Sequence, residues 1–177
     1  YRLQKDALLG LERFAETSAH NVIQAIAEHI HIPLARFLYA LGIFHIGEES
    51  AFLLATHVPQ WAKEQRKRIQ TPFDVGNIFL HLSKQVLEQL PDIGGVVSAS
   101  VFEWFRDPLH QVFLKELTEV GVTIEMPKKI IQKSNFTNKT FVLTGSLISL
   151  TRDEASTIIR EQGGSVASSV SKQTDYV

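Results

Sequence analysis

Three short stretches of this chain repeat a pattern that could hold phosphate. The three stretches are 14–19, 46–51 and 93–98. In each of them an apolar residue precedes a tiny residue, and small residues follow after two further positions. Glycine at such a bend permits a positive φ angle and leaves no side chain in the way of a ligand. The first N–H groups of the helix that follows lack internal partners and carry the positive end of the helix dipole. The pattern therefore predicts backbone amides that bind phosphate without a lysine.

Each stretch lies between two helical segments, which is the layout of a helix–hairpin–helix unit. The second and third copies have Gly47 and Gly94 at the bend, whereas the first has Ala15 and is predicted to be distorted or mainly structural. The small residues four positions after the bend residue, such as Ala51 and Ser98, are expected to let the two helices pack closely. Glu48 and its neighbour would repel phosphate and must point aside. The predicted DNA-binding residues are Ala15, Glu16, Thr17, Ile46, Gly47, Glu48, Ile93, Gly94, Gly95 and Val96. In the alternative interpretation, each glycine only ends one helix and opens another.

Other residues capable of chemistry form weaker patterns. His29 and His31 are two apart, but no third ligand follows at metal-binding spacing, so no metal site is predicted. No GxSxG motif is present to indicate a serine nucleophile, and no catalytic residue is predicted. The basic group of Lys63, Arg66, Lys67 and Arg68 is either a phosphate patch or an exposed helix face.

The elements that position the three bends are predicted to be helices. From Asp6 to about Phe113, apolar residues recur at helical spacing, and prolines stand at the ends of the predicted segments. The least regular stretch runs from 57 to 76, where we expect a helix and a loop that contains the turn-like residues TPFDVG. A short extended stretch is expected at 122–126.

The last part of the chain shows a different pattern. Residues 140–145 form a β-branched run that ends in glycine, which predicts a strand and a turn. Thr151 and Glu154 match a capping box, and the helix they start should end at the paired glycines 163–164. A second strand is expected at 165–171. This β–α–β order predicts parallel strands.

The predicted fold class is mainly α, with a helix–hairpin–helix array followed by an incomplete α/β part. The corresponding domains are 1–127 and 139–177, joined by a linker at 128–138. The chain has 177 residues, of which 44% are hydrophobic and 21% charged, so a packed core is expected. The first residue is not Met, and we expect a part of a longer protein.

Composition excludes several classes of function. The chain contains no cysteine, which excludes a disulfide scaffold, a thiolate zinc site, an iron–sulfur cluster and a cysteine nucleophile within it. A formal charge of −1 does not indicate a strong electrostatic nucleic-acid binder, but it is compatible with binding through backbone amides. No run of about 20 apolar residues is present that could span a membrane.

Longer stretches resemble bacterial NAD-dependent DNA ligases. Four stretches resemble the helix–hairpin–helix domain of that family: YRLQKDALLGLERFAETSAHNVIQAI, LARFLYALGIFHIGEESAFLLA, PDIGGVVSASVFEWF and FLKELTEVGV. Three later stretches resemble the first half of the BRCT domain that follows in those ligases: NKTFVLTGSL, TRDEASTIIREQGGSV and SSVSKQTDYV. The resemblance covers nearly the whole chain in the right order. It departs at 57–80, which looks longer than the family's connector.

The resemblance implies a parent enzyme that seals nicks in duplex DNA during replication and repair, with NAD, Mg²⁺ and Zn²⁺ as cofactors. Family members adenylate a lysine in a KxDG motif, and no KxDG occurs in this chain. This part is therefore expected to bind no cofactor and to be inactive alone. Its expected partner is nicked double-stranded DNA, and it is expected to be a monomeric protein of the bacterial cytoplasm with no membrane contact.

Two further expectations depend on the resemblance. Thr144 and Gly145 match a strand-end pair that binds phosphate in some BRCT domains. In the alternative interpretation, the two residues only form the end of a strand and a turn. The alternative function is a non-enzymatic DNA repair or replication scaffold that joins the same two modules, with the BRCT part binding a protein.

Overall fold

Helices dominate the first part of the chain, as the apolar periodicity predicts. The computed structural model describes residues 1–11, 15–127, 134–167 and 169–177, and the chain divides into two units, Tyr1–Pro127 and Lys128–Val177. Within the described residues, the first unit contains eight helices: α1 (Lys5–Leu9), α2 (Glu16–Glu28), α3 (Leu34–Ala40), α4 (Glu48–Glu64), α5 (Pro72–Leu80), α6 (Lys84–Glu88), α7 (Gly95–Trp104) and α8 (Pro108–Glu119).

Two short strands join distant parts of the first unit. Strand β1 (His31–Pro33) pairs in parallel with β2 (Thr123–Glu125), which lies in the stretch that the sequence predicts to be extended. The sequence gives no indication of β1, because three residues are too few to show a strand pattern and their partner lies far along the chain.

Among the described residues, one apolar core joins helices α3 to α8 of the first unit. Phe79 and Phe105 are fully buried and stack with ring centroids 4.3 Å apart, and Trp61 packs its ring edge-on to Phe79 at 5.8 Å. Such aromatic pairs add roughly 0.5–1.5 kcal/mol beyond the area that they bury. The core therefore holds α4, α5 and α7 in fixed positions.

The segment TPFDVG begins a helix, and its prediction as a turn is wrong. The hydroxyl of Thr71 accepts a hydrogen bond from the N–H of Asp74, and the Asp74 carboxylate accepts one from the N–H of Thr71. Pro72 occupies the first helical position, where a missing N–H has no effect. Gly76 lies inside α5 because Leu114 of α8 packs against it; a Cβ there would lie 2.6 Å from Leu114 Cδ1. The turn-forming residue types here serve a helix start and a close helix contact.

The second unit has the predicted parallel β–α–β arrangement. Strand β3 (Thr140–Val142) pairs in parallel with β4 (Ser165–Ala167), and α9 (Arg152–Glu161) lies between them in the chain. Thr151 and Glu154 form the predicted capping box of α9, and the chain turns away after the helix at Gly163, whose φ of 81° is left-handed. The predicted fold class, mainly α followed by an α/β part, is confirmed.

The described part of the predicted linker packs on the second unit. The Ser134 hydroxyl donates to the carbonyl of Gln162, and the N–H of Asn138 donates to the carbonyl of Gly163 at 3.1 Å. The Phe136 ring lies 5.0 Å from that of Phe141, measured between centroids. Residues 134–138 are therefore folded against α9 and β3. Residues 128–133 of the predicted linker lie outside the described residues.

Candidate nucleic-acid interface

The three repeated bends each join two helices. We call them hairpin A (residues 8–19, between α1 and α2), hairpin B (residues 41–51, between α3 and α4) and hairpin C (residues 88–98, between α6 and α7). Residues 12–14 of hairpin A, which include its predicted apolar residue Phe14, lie outside the described residues.

Hairpins B and C make the same backbone hydrogen bond across the bend, although hairpin B contains one additional residue, the left-handed Gly42. In hairpin B, the N–H of Ile46 donates to the carbonyl of Ile43 at 3.1 Å; in hairpin C, the N–H of Ile93 donates to that of Leu90 at 3.3 Å. All four side chains are buried in the one apolar core of the first unit. Both hairpins are therefore anchored on each side of the bend and held by the same core.

The left-handed residue that directly precedes the buried isoleucine of each bend is not the predicted glycine. His45 has φ 66° and Asp92 has φ 62°, whereas Gly47 and Gly94 are extended with φ −90° and −80°. The prediction that the glycines supply the left-handed conformation is wrong. The left-handed step comes one residue before the buried isoleucine, at residue types that tolerate this region comparatively well. It turns the chain so that the isoleucine side chain returns to the core.

Gly47 and Gly94 instead leave the helix starts uncovered. Each is the N-cap of the helix that follows, so that α4 begins at Glu48 and α7 at Gly95, and neither cap supplies a side chain to the first turn. A Cβ built on either glycine meets nothing within 4 Å. Neither the backbone conformation nor the packing within the unit requires glycine here. The space in front of both helix N-termini is open to a ligand.

A buried small residue follows each cap at the same distance in all three hairpins. The N–H of the fourth residue donates to the carbonyl of the cap at 2.9–3.0 Å (Ala19 to Ala15, Ala51 to Gly47, Ser98 to Gly94). The three donors have no exposed surface. Close packing at these positions agrees with the prediction from their small size.

Hairpin A uses its amide within the protein. The N–H of Ala15 donates to the Ser18 hydroxyl at 2.9 Å, and the Glu16 carboxylate forms an ion pair with Lys5. Thr17 is exposed in the first turn of α2. Hairpin A therefore has fewer free groups in its first helical turn to bind a phosphate than hairpins B and C have.

The predicted binding residues divide into buried and exposed groups. Ile46 and Ile93 are buried, and their N–H groups are already used within the bends. Gly94, Gly95 and Val96 are exposed, and no acceptor among the described residues receives a hydrogen bond from their N–H groups. Hairpin C therefore presents the amides of these three residues to solvent.

Carboxylates flank both helix starts. Glu48 and Glu49 lie in the first turn of α4 and are exposed. In hairpin C, Glu88 Oε1 accepts a hydrogen bond from the buried Ser98 hydroxyl at 2.8 Å. Acidic groups stabilise a helix N-terminus through its dipole, and they also reduce its attraction for phosphate. The arrangement indicates contacts of modest strength.

Phe44, at the tip of hairpin B, is a candidate contact residue that the sequence pattern does not indicate. Its side chain is 82% exposed, beside the left-handed His45 and between two buried isoleucines. Pro91 occupies the equivalent position in hairpin C. The only sequence signal is an apolar residue inside a bend, and this signal does not distinguish a buried side chain from an exposed one.

Thr144 and Gly145 lie in an exposed turn after β3. Gly145 has φ 69°, and its carbonyl accepts a hydrogen bond from Arg152 Nη2 at 3.1 Å. The guanidinium of Arg152 therefore lies beside the predicted phosphate-binding pair, at the start of α9.

The metal interpretation of the histidines finds no support in the described ranges. There, no group of three or more histidine or acidic side chains is placed to hold a metal ion. His31 instead hydrogen-bonds to the Thr123 hydroxyl across the two strands of the first unit. In the same ranges, no helix has the length and apolar character that a membrane span needs.

Comparison with known proteins agrees with the division of the chain into two units. Residues 132–177 match the BRCA1 C Terminus (BRCT) domain. The whole chain is 38% identical over 182 residues to a DNA ligase of Syntrophomonas wolfei, and 38% identical over 177 residues to a DNA ligase of Coxiella burnetii. It covers 24% of each relative, so the chain spans about a quarter of the length of these proteins. The resemblance to bacterial DNA ligases is confirmed along the full chain, which contains a BRCT domain.

Proposed function

Because the whole chain is similar to bacterial DNA ligases, we propose that it is the DNA-gripping part of an NAD-dependent DNA ligase, which seals nicks in duplex DNA. The observation that carries the proposal is the pair of hairpins B and C, whose uncovered helix N-termini are fixed to one core. A helix N-terminus binds phosphate through its amides and its dipole. The two hairpins would therefore bind the sugar–phosphate backbone without contacting the bases, so that binding does not depend on sequence.

The strength of this grip comes from using two hairpins together. A hydrogen bond between an amide and a charged phosphate contributes roughly 1.5–3 kcal/mol. Association costs at least about 4 kcal/mol in lost freedom of motion, so one hairpin with two or three such bonds binds weakly. Hairpins B and C belong to one rigid unit, and the second hairpin therefore binds without repeating that loss.

The sealing chemistry belongs to other parts of the parent protein. This chain has no KxDG lysine and no cysteine for a thiolate zinc site, and its described residues hold no cluster suited to a metal ion. These residues do not fit the NAD, Mg²⁺ or Zn²⁺ that the resemblance implies. We assign those cofactors to the rest of the ligase, which would act in replication and repair in the bacterial cytoplasm, with this part monomeric.

Fluorescence anisotropy of the whole chain with labelled duplexes tests the proposal. We expect a Kd of about 10⁻⁴–10⁻⁶ M for nicked duplex at physiological salt, equal for two unrelated sequences. Strong preference for one sequence, or no binding at millimolar protein, would contradict it. Incubation with labelled NAD should produce no covalent AMP on this chain.

The parent gene separates the ligase from the alternative scaffold. A KxDG motif and four spaced cysteines upstream of this segment support the ligase. A parent protein without them would support a non-enzymatic scaffold with the same DNA-binding hairpins.

A further inference from the structure

A cluster of positive side chains lies in the first unit outside the three hairpins. The segment Lys63–Arg68, which we call the basic loop, contains four of the 18 lysines and arginines of the chain and one acid, Glu64. All four basic residues are exposed at the end of α4 and in the turn that follows. This segment falls within 57–80, the stretch that looks longer in the sequence than the connector of the ligase family.

The backbone of the basic loop is well fixed. The N–H of Lys67 donates to the carbonyl of Ala62 at 2.8 Å, and Arg66 takes the left-handed conformation with φ 55° that ends a helix. Beyond the loop, Ile69 is buried and the carbonyl of Gln70 accepts a hydrogen bond from the N–H of Ile124 at 2.9 Å. The positive side chains therefore project from an ordered turn, which reduces the entropy lost when they bind.

The charge of the basic loop is not neutralised by its surroundings. Among the described residues, no carboxylate forms an ion pair with any of its four basic side chains. The Glu64 carboxylate accepts a hydrogen bond from Gln60 instead. The negative end of the α4 dipole favours a cation in the last turn, where Lys63 lies, but the effect fades beyond it. Lys67 Nζ donates to the carbonyl of Asn77 at 3.4 Å, near the C-terminal end of α5. Helix stabilisation therefore does not account for Arg66 and Arg68.

We propose that the basic loop is a second contact for the phosphate backbone of duplex DNA, separate from the hairpins. The inference rests on the proposed function, because the ligand is the same duplex. Helix α4 has 17 residues, and its rise of about 1.5 Å per residue puts roughly 25 Å between hairpin B and the basic loop. At about 3.4 Å per base pair, the loop would contact phosphates up to about seven base pairs from those at hairpin B.

Charge-neutralising variants of the whole chain test this contact. The variant K63Q/R66N/R68Q removes three positive charges and takes the formal charge from −1 to −4, and asparagine tolerates the left-handed conformation at position 66. The matched control R2Q/K115Q/K172Q also reaches −4, but its changes lie outside the basic loop and the hairpins. Circular dichroism and thermal melting of both variants verify that they are folded.

Binding to nicked duplexes is then measured against salt concentration. For a duplex of about 30 base pairs, the loop variant should lose at least tenfold in affinity at low salt. Its slope of log affinity against log salt should shrink by about 2–3, because each phosphate contact contributes about 0.9. The control should change the slope by less than about 1.

Equal affinity and slope for the loop variant and the control on this duplex would overturn the proposal. An equal tenfold loss of binding to polyglutamate would also overturn it, since the loop would then recognise any acidic chain. The double variant G47V/G94V distinguishes the failure of the basic-loop contact from the failure of the hairpin contacts. Loss of binding in that variant, with the loop variant equal to its control, rejects the basic loop alone. Unchanged binding in G47V/G94V rejects the hairpin grip instead.

Discussion

Replacing both hairpin glycines by valine tests the proposed grip with little effect on the fold. Gly47 and Gly94 have extended backbones that valine adopts readily, and a Cβ at either position meets nothing within 4 Å. Valine is a poorer N-cap than glycine, so each helix loses up to about 1 kcal/mol. The combined loss is small enough that the helical circular dichroism should persist.

The loss of binding should be much larger than this effect on stability would suggest. Each valine projects into the space through which a phosphate would reach the first-turn amides of α4 or α7. If one charge-assisted hydrogen bond is lost at each hairpin, at roughly 1.5–3 kcal/mol each, the total is roughly 3–6 kcal/mol. The duplex can shift to recover part of this energy, so we expect at least a tenfold weaker Kd, or about 1.4 kcal/mol.

Anisotropy titration of a nicked duplex measures the effect, and alanine at the same two positions provides the control. Alanine and valine are similarly poor caps, but valine is bulkier, so steric exclusion predicts similar stability for the two variants and weaker binding for valine. If the folded valine variant bound the duplex with unchanged affinity, the assigned role of hairpins B and C would be refuted.

Three further changes test other parts of the structure. Phe44→Ala should weaken duplex binding severalfold, and because the ring is mostly exposed, thermal melting should stay the same; a drop in melting temperature would indicate a structural role instead. Gly164→Ala should destabilise the second unit by about 1–3 kcal/mol in urea, because its Cβ would lie 2.8 Å from Ile159 and 3.1 Å from a backbone oxygen; Gly10→Ala, with its nearest atom at 4.0 Å, is the control and should have little effect. The hydrogen bond from Lys139 lowers the pKa of Asp175, so its contribution to stability is present above its unfolded pKa of about 3.9 and is lost as the pH falls through the lower folded value. The difference in urea stability between wild type and Asp175→Asn should therefore shrink from pH 7 to pH 2, and an equal difference at both would contradict this.

Features encoded by a few neighbouring residues were predictable from the sequence. The starts of α4, α7 and α9 follow from a glycine or threonine cap and the residues directly after it. The burial of Ala51 and Ser98 follows in the same way, from small residues at a fixed distance past the bend. Each of these signals is complete within about six residues.

Features that depend on distant partners were not predictable in this way. The segment TPFDVG has turn-forming residues, and only the approach of Leu114 from α8 explains a glycine inside that helix. The left-handed conformation falls on His45 and Asp92 because the following isoleucines must reach a core built by other helices. For the candidate site, the sequence identified the bends, but not that Ile46 and Ile93 are buried or that Phe44 is exposed.

The parallel pairing of β1 with β2 has a consequence for how the first unit folds. His31 and Thr123 are paired although they are 92 residues apart, and hairpins B and C with the basic loop all lie between them. Contacts that close so long a loop form late, whereas the hairpins are local and form early. We therefore expect the two strands to join last during refolding and to separate first under denaturant. A shortened chain that ends before Thr123 would keep its hairpins but would lack the contact that ties its two ends together.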